Sequence, residues 1–216
     1  MNKSFLTTKL TPVITIILCC ILYMSGYFQM IIAAILMIIA SAVEYKKDFF
    51  SSLGFQRKRF NVKSLLVIAP IYGAVIFLFY YYVMLPSITY ITGQPIDFSV
   101  FKPYAGNLPK TLSLLALIWA SAAFAEEIVF RGYLMRQFTQ FFGSSNISLV
   151  INILLFGFLF GWVHAYQGIT GQILSGMTGM ILAIIFHLRK SDLWFNIAVH
   201  GFIDTVALVY IYYGWI

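Results

Sequence analysis

About seven apolar runs divide this chain, most of them near the roughly 17–25 residues that a helix needs to cross a bilayer. The runs cover about 10–24, 26–43, 64–85, 110–131, 147–166, 167–188 and 192–216. An unbroken helix over 10–43 would be about 50 Å long at 1.5 Å per residue, too long for one crossing, so a turn is expected at Ser25-Gly26. Hydrophobic residues make up 61% of the 216 positions and charged residues only 10%. A water-soluble domain of this size does not carry that much apolar surface, so the expected fold class is all-α, a polytopic transmembrane helical bundle of about seven spans.

The connections agree with that reading. The segment 44–63 is basic, holding Lys46, Lys47, Arg57, Lys58, Arg59 and Lys63. The stretch from Pro86 to Pro109 holds four of the six prolines and reads as a loop. Gly132 to Phe142 looks amphipathic, and 143–146 reads as a turn. Lys and Arg set orientation. With 44–63 in the cytoplasm, Lys3, Lys9, Arg131, Arg136, Arg189 and Lys190 fall on the same side and only Lys102 and Lys110 outside. That predicts a multi-pass protein of the cell membrane with a cytoplasmic N-terminus. The formal charge of +7 is spread between apolar runs, so no nucleic-acid partner is expected. Cys19 and Cys20 are adjacent and read as small apolar residues. No small residue precedes Cys19 as a lipoprotein signal requires, and no A-x-A-like cleavage site follows the first run, which is therefore taken as a span.

Ionisable groups inside such spans are costly, roughly 2.5–3.5 kcal/mol each on insertion scales, and they mark where function is to be sought. The fourth run carries Glu126, Glu127 and Arg131, the fifth ends on His164, and the seventh carries His200 and Asp204. His187, at the end of the sixth, reads as an interfacial histidine. Glu127 and Arg131 are i, i+4 and can pair within one helix, as can His200 and Asp204. Glu126 points about 100° away from Glu127. Gly157 and Gly161 give the fifth run a G-x-x-x-G face for close helix packing. Counted from a turn at Ser144-Ser145, Glu126 and His164 reach the same depth on two straight antiparallel helices. His200 lies only ten residues past Lys190 and fits that depth less well, unless 132–142 lies along the interface or the spans tilt strongly.

Two carboxylates and two imidazoles converging in a membrane suit activation of water. A buried glutamate can take a proton from water and return it later, and an imidazole can hold the water or stabilise an oxyanion. The same set, Glu126, His164, His200 and Asp204, can also bind a divalent metal, zinc among them. The plainer reading is that Glu–Arg and His–Asp pairs hold helices together, each worth about 1 kcal/mol.

E-E-x-x-x-R at Glu126, Glu127 and Arg131, F-x-x-x-H at Phe160 and His164, and H-x-x-x-D at His200 and Asp204 resemble, in order, the three motifs of the CPBP intramembrane proteases, also called Abi, named for CAAX proteases and bacteriocin-processing enzymes. The resemblance covers roughly Lys110 onward. It implies one integral membrane domain over 1–216, with variable N-terminal spans over 10–109 and a catalytic core of four spans over 110–216, the active site lying inside the membrane. It implies Glu126 as the base, His164 positioning water, Glu127 and Arg131 with Phe160 in support, and His200 and Asp204 on the oxyanion side. The implied substrate is a peptide bond near the membrane, cut close to the cytoplasmic face. The eukaryotic branch of the family resembles a glutamate protease without metal and has Asn where this chain has Asp204. An ionised Asp cannot donate to an oxyanion, so here Asp204 must be protonated, orient His200, or bind a metal. The Lys/Ile/Phe-rich composition looks bacterial, where prenylated CAAX substrates are not expected. The expected activity is therefore endoproteolysis of a small peptide or membrane-bound precursor, in bacteriocin or signal-peptide processing or in self-immunity. The alternatives are a non-catalytic immunity or adaptor protein binding a peptide in the same cavity, and a small transporter. The transporter is disfavoured by the lack of any inverted repeat.

Overall fold

The structure is a computed structural model and describes the backbone of residues 3–25 and 29–216, with side chains from residue 9 onward. Among the described residues every regular element is helical. Seven long helices stand at the seven apolar runs: α1 (Lys3–Met24), α2 (Met30–Tyr45), α3 (Ser64–Thr92), α4 (Leu108–Phe142), α5 (Asn146–Trp162), α6 (Gly168–Leu188) and α7 (Leu193–Tyr212). α3, α4, α7 and the stretch Ala165–Leu188 containing α6 are long and apolar enough to cross a membrane, while α5 and the apolar part of α1 are shorter. Gly26 of the expected first turn, and the side chain of Lys3, lie outside the described residues. Outward faces carry Leu66, Val75, Leu154 and Phe158, all exposed, the pattern that a bilayer rather than water accommodates. Cys19 and Cys20 are both free thiols.

α4 is the central helix. It packs against α2, α7 and α5, while α5 lies along α6 and α7 along α3. The α2–α4 contact is built from small residues, Ala33, Ala34 and Ala40 meeting Ala123 and Ala125, all buried in one cluster with Met37 and Ile128. The glycine face expected on α5 does meet a neighbour: a Cβ at Gly161 would collide with the Gln172 carbonyl and the Gly176 backbone of α6. Only a hydrogen at that position lets the two backbones come this close.

Two expectations change. The loop expected from Pro86 is helix to Thr92. A wide π-helical turn over Tyr80–Met84 precedes Pro86, and such a turn absorbs the missing N–H and the ring of proline that would break a regular α-helix. The connection between α3 and α4 is therefore 93–107, with a 3-10 turn at Ser99–Tyr104. The second change resolves the depth mismatch of the seventh run. Residues 132–142 continue α4, and α7 begins beside Gly132, where a Cβ would lie 3.2 Å from Leu193. The α4–α5 turn thus sits about ten residues, roughly 15 Å along a helix, beyond the start of α7. From Gly132 back to Glu127, and from Leu193 on to His200, are steps of similar length, so the two residues meet.

The ends of the bundle are distinct. At one end the basic segment 46–63 is stitched to the α6–α7 turn, Leu193 N donating to Gly54 O at 3.2 Å and Arg59 Nη1 to Arg189 O at 3.1 Å. The far end of α4 joins them, Arg136 Nη1 reaching Ser51 O at 3.4 Å and Gln137 Nε2 reaching Glu44 Oε2 at 2.6 Å. At the other end Asp97 N donates to Gln167 O at 3.0 Å and Gly106 N to Tyr212 O at 2.9 Å.

Candidate active site

Glu126 and Glu127 are neighbours in sequence with opposite surroundings. Wide π turns run over Trp119–Glu126 and Ile128–Leu134, on either side of Glu127. Glu127 is fully buried and turned into the core. Arg131 Nη1 donates to its Oε1 at 2.7 Å, the i, i+4 pair that the spacing implies. Two further contacts cross to α7: Asn196 Nδ2 donates to Glu127 Oε2 at 2.6 Å, and His200 Nδ1 lies 2.9 Å from Oε1. Arg131 also crosses helices, Nη2 donating to Gly179 O of α6 at 2.7 Å. Glu127 and Arg131 together tie α4, α6 and α7 in one satisfied network, a larger role than neutralisation within a helix.

Glu126 faces a cavity of about 320 Å³ whose wall also includes His164, His200 and Asp204, with Phe160, Tyr80 and Ser121. Its Oε2 is buried and has no hydrogen-bond partner among the described residues. His164 stands in the turn after α5, which ends at Trp162, rather than within a span. Its Nδ1 lies 2.7 Å from the Phe160 carbonyl oxygen. A carbonyl can only accept, so Nδ1 carries the hydrogen and Nε2 of the neutral ring is an acceptor. The same reasoning applies to His200. Its Nδ1 donates to the Glu127 carboxylate, and Nε2 lies 3.5 Å from Asp204 Oδ2 on the cavity side. Orientation of His200 is thus the work of Glu127 from the core, and Asp204 stands at the other ring nitrogen.

Phe160 joins these parts. Its ring centroid is 4.9 Å from that of His164 and 6.0 Å from that of His200. The Arg131 guanidinium lies 4.9 Å from the same ring. Phe130 packs edge-on at 5.1 Å, and Gly179 lies against the ring where a Cβ would meet it at 3.0–3.1 Å. His187 is exposed near the basic end and takes no part.

Two residues near the site were not singled out from sequence. Asn196 completes an i, i+4, i+8 row with His200 and Asp204 on α7, and that spacing was the available signal. Tyr80 comes from α3, outside the motif-bearing half, and no local pattern distinguishes it among Tyr80, Tyr81 and Tyr82.

Among the described residues no three His, Cys, Asp or Glu side chains are placed to hold a metal ion together. The candidate set Glu126, His164, His200 and Asp204 shares a cavity without forming such a group, so it does not fit a metal as placed.

Residues 108–206 match the family model described as type II CAAX prenyl endopeptidase, Rce1-like. This part of the chain is similar to the Rce1-like domain. It begins with the first residue of α4 and ends two residues past Asp204, so it contains all three motifs and every candidate residue except Tyr80. No curated protein and no solved structure matches the chain. The similarity to an endopeptidase domain over 108–206 and the four stretches long and apolar enough to cross a membrane point in the same direction, to a membrane-embedded protease domain.

Proposed function

We propose that the protein is an intramembrane endopeptidase that uses Glu126 to activate water against a peptide bond. One observation carries the reading: a glutamate oxygen buried in a cavity wall, with no partner, beside two histidines whose Nδ1 atoms are already committed. Other buried side-chain atoms also lack a partner among the described residues, Asn196 Oδ1 among them, but of these residues Glu126 is the one that lines the cavity.

In this reaction Glu126 takes a proton from water as the oxygen attacks the carbonyl carbon. His164 accepts the second water hydrogen at Nε2 and fixes its direction. The carbonyl oxygen gains negative charge and faces the His200 side of the cavity. Glu126 then returns its proton to the departing amine nitrogen, and the C–N bond breaks to give a carboxylic acid and an amine, the acid's proton passing to the amine to leave a carboxylate and an ammonium. Glu127 and Arg131 act through His200 and Phe160 and are positioning residues. No step needs a metal. The substrate is a small peptide or membrane-bound precursor, of the kind handled in bacteriocin or signal-peptide maturation.

The test is cleavage of a peptide library by the purified protein in detergent. Glu126→Gln keeps the shape and removes the base, so turnover falls by at least about 10²-fold, the usual scale for general-base loss, with thermal stability unchanged or raised. His164→Ala does the same. Full activity in both variants overturns the proposal. A phenotype spared by Glu126→Gln supports the adaptor reading instead. Elemental analysis is expected to find no stoichiometric zinc, and strong chelators to leave cleavage intact. Activity lost to chelation and restored by zinc overturns the metal-free mechanism.

A further inference from the structure

The cavity has a closed floor and an apolar mouth, and the two face opposite ends of the bundle. Below Glu126 the core is sealed: Glu127, Ile128, Asn196 and Val199 are all fully buried. Above it the wall runs along Leu114 and Leu117 of α4 and Leu208 and Ile211 of α7 to Phe98 and Phe101 of the 93–107 connection. That connection is bonded to the α5–α6 turn and the end of α7, at the end away from the basic segment. A second hollow, lined by Tyr104, Lys110 and Ser113, shares Leu114 and Leu117 with this mouth.

Charge separates the same two ends. Ten of the fourteen Lys and Arg residues lie at the basic end, joined there by contacts such as Arg59 to Arg189 and Lys9 Nζ to Gln140 O at 3.2 Å. Only Lys102 and Lys110 belong to the opposite end, and neither lines the cavity. Arg131 is buried in the network and is no guide to orientation. The end richer in Lys and Arg is the cytoplasmic one.

We infer that the site is loaded from the extracytoplasmic side, and that its substrate is an exported or membrane-anchored peptide that places apolar side chains against the mouth and its backbone at the Glu126 level. This departs from the cytoplasmic cutting side that the motif resemblance implies. The access side follows from the cavity and the charges alone, while the substrate class rests on the endopeptidase reading. Phe98, Phe101, Leu208 and Ile211 offer no charge to pair, so they favour an apolar segment over an acidic or basic one.

Accessibility of single cysteines tests the access side. In a Cys19→Ser, Cys20→Ser background, Ser99→Cys (mouth), Ser121→Cys (cavity) and Ser51→Cys (basic end) are treated in intact cells with a small membrane-impermeant thiol reagent. Ser99→Cys and Ser121→Cys are expected to label without permeabilisation, and Ser51→Cys only after it. Labelling of Ser99→Cys only after permeabilisation, or of Ser51→Cys before it, overturns the inference, as does a Ser121→Cys that labels only from the inner side. The substrate class is tested with one apolar peptide fused to a single-span anchor on either side of the membrane. Cleavage of the outer reporter alone is expected. Cleavage of the inner reporter alone overturns the inference. If neither is cut while labelling runs as expected, the peptide-substrate half falls and the access side stands.

Discussion

Arg131→Met separates the load that Arg131 carries in the fold from the load it carries in the site. Methionine fills similar space but leaves the Glu127 carboxylate buried without its cation. Breaking a buried ion pair from one side costs about 3–5 kcal/mol. The Gly179 carbonyl also loses a charged donor at 2.7 Å, a further loss of about 1–3 kcal/mol. The two share one guanidinium and do not add fully, so about 4–6 kcal/mol is expected. That far exceeds the average of about 0.6 kcal/mol for polar contacts between membrane helices, because here the stranded partner is a charge with no lipid or water to turn to. For a chain of this size about 1 kcal/mol moves the melting temperature by about 2–4 °C, so the variant should melt at least about 8 °C lower in detergent. Adding Glu127→Leu removes the stranded charge and should recover about half of the loss. Cleavage should not return with it, because His200 Nδ1 then has no acceptor to hold its ring. The assay is paired: thermal melting by intrinsic tryptophan fluorescence and turnover of one peptide. A shift under 4 °C in the single variant refutes the energetic reasoning, and a double variant that cleaves at the wild-type rate refutes the positioning role.

Three further outcomes are expected. Asn196→Ala removes the 2.6 Å donor to Glu127 but also a buried Oδ1 that has no partner among the described residues, so stability should drop by only about 1 kcal/mol while turnover falls about tenfold; equal losses in both would make Asn196 purely structural. Gly161→Leu drives a side chain into the α6 backbone, and overpacking of about 1–3 kcal/mol or more should lower the melting temperature and displace His164 three residues on; unchanged melting would mean that α5 and α6 are not packed as described. Asp192 caps α7 through Phe195 N at 3.3 Å, and burial, opposed by that hydrogen bond and by nearby arginines, holds its carboxyl above the usual range. A raised folded-state value favours folding below the unfolded value of about 3.9 and turns into a penalty as pH rises through the folded value. Asp192→Asn keeps the cap and should raise the melting temperature at pH 7 with no gain at pH 3.5; a gain that is the same at both pH values would rule out this origin.

Local spacing carried the parts of the site that lie within one helix. The Glu127–Arg131 and His200–Asp204 contacts follow from i, i+4 alone, and the helix contact at Gly161 follows from the i, i+4 glycines. Between helices, depth could be counted only along the two arms of one hairpin, where it put Glu126 and His164 level, and both line the cavity. The α4–α7 register could not be counted that way, because it depends on Leu193 docking beside Gly132 while α4 runs on for another ten residues. Nothing in the local pattern of 132–142 says whether that stretch continues the helix or leaves it. The helix through Pro86 was hidden for a related reason: proline reads as a stop unless the turn before it is widened, and a π turn has no composition of its own. Asn196 carries no charge whose burial would mark it as costly, although it stands on the same face four residues before His200.

The two glutamates show why residue type alone could not assign roles. Both are carboxylates on one helix, one residue apart, and the cost of burying either is similar. Glu127 offsets that cost with Arg131, Asn196 and His200, and each of those donors is itself held by a neighbouring helix. It can therefore be neither moved nor titrated without disturbing three helices, which suits a group that holds another in place. The buried oxygen of Glu126 has no such donors and borders space in which a small molecule can sit. A base must exchange a proton with its substrate, so it needs a coordination position that the fold has not filled. Glu126 has that position and Glu127 does not. The division falls between adjacent residues because the wide turns on either side of Glu127 let one side chain face the core and the other the cavity.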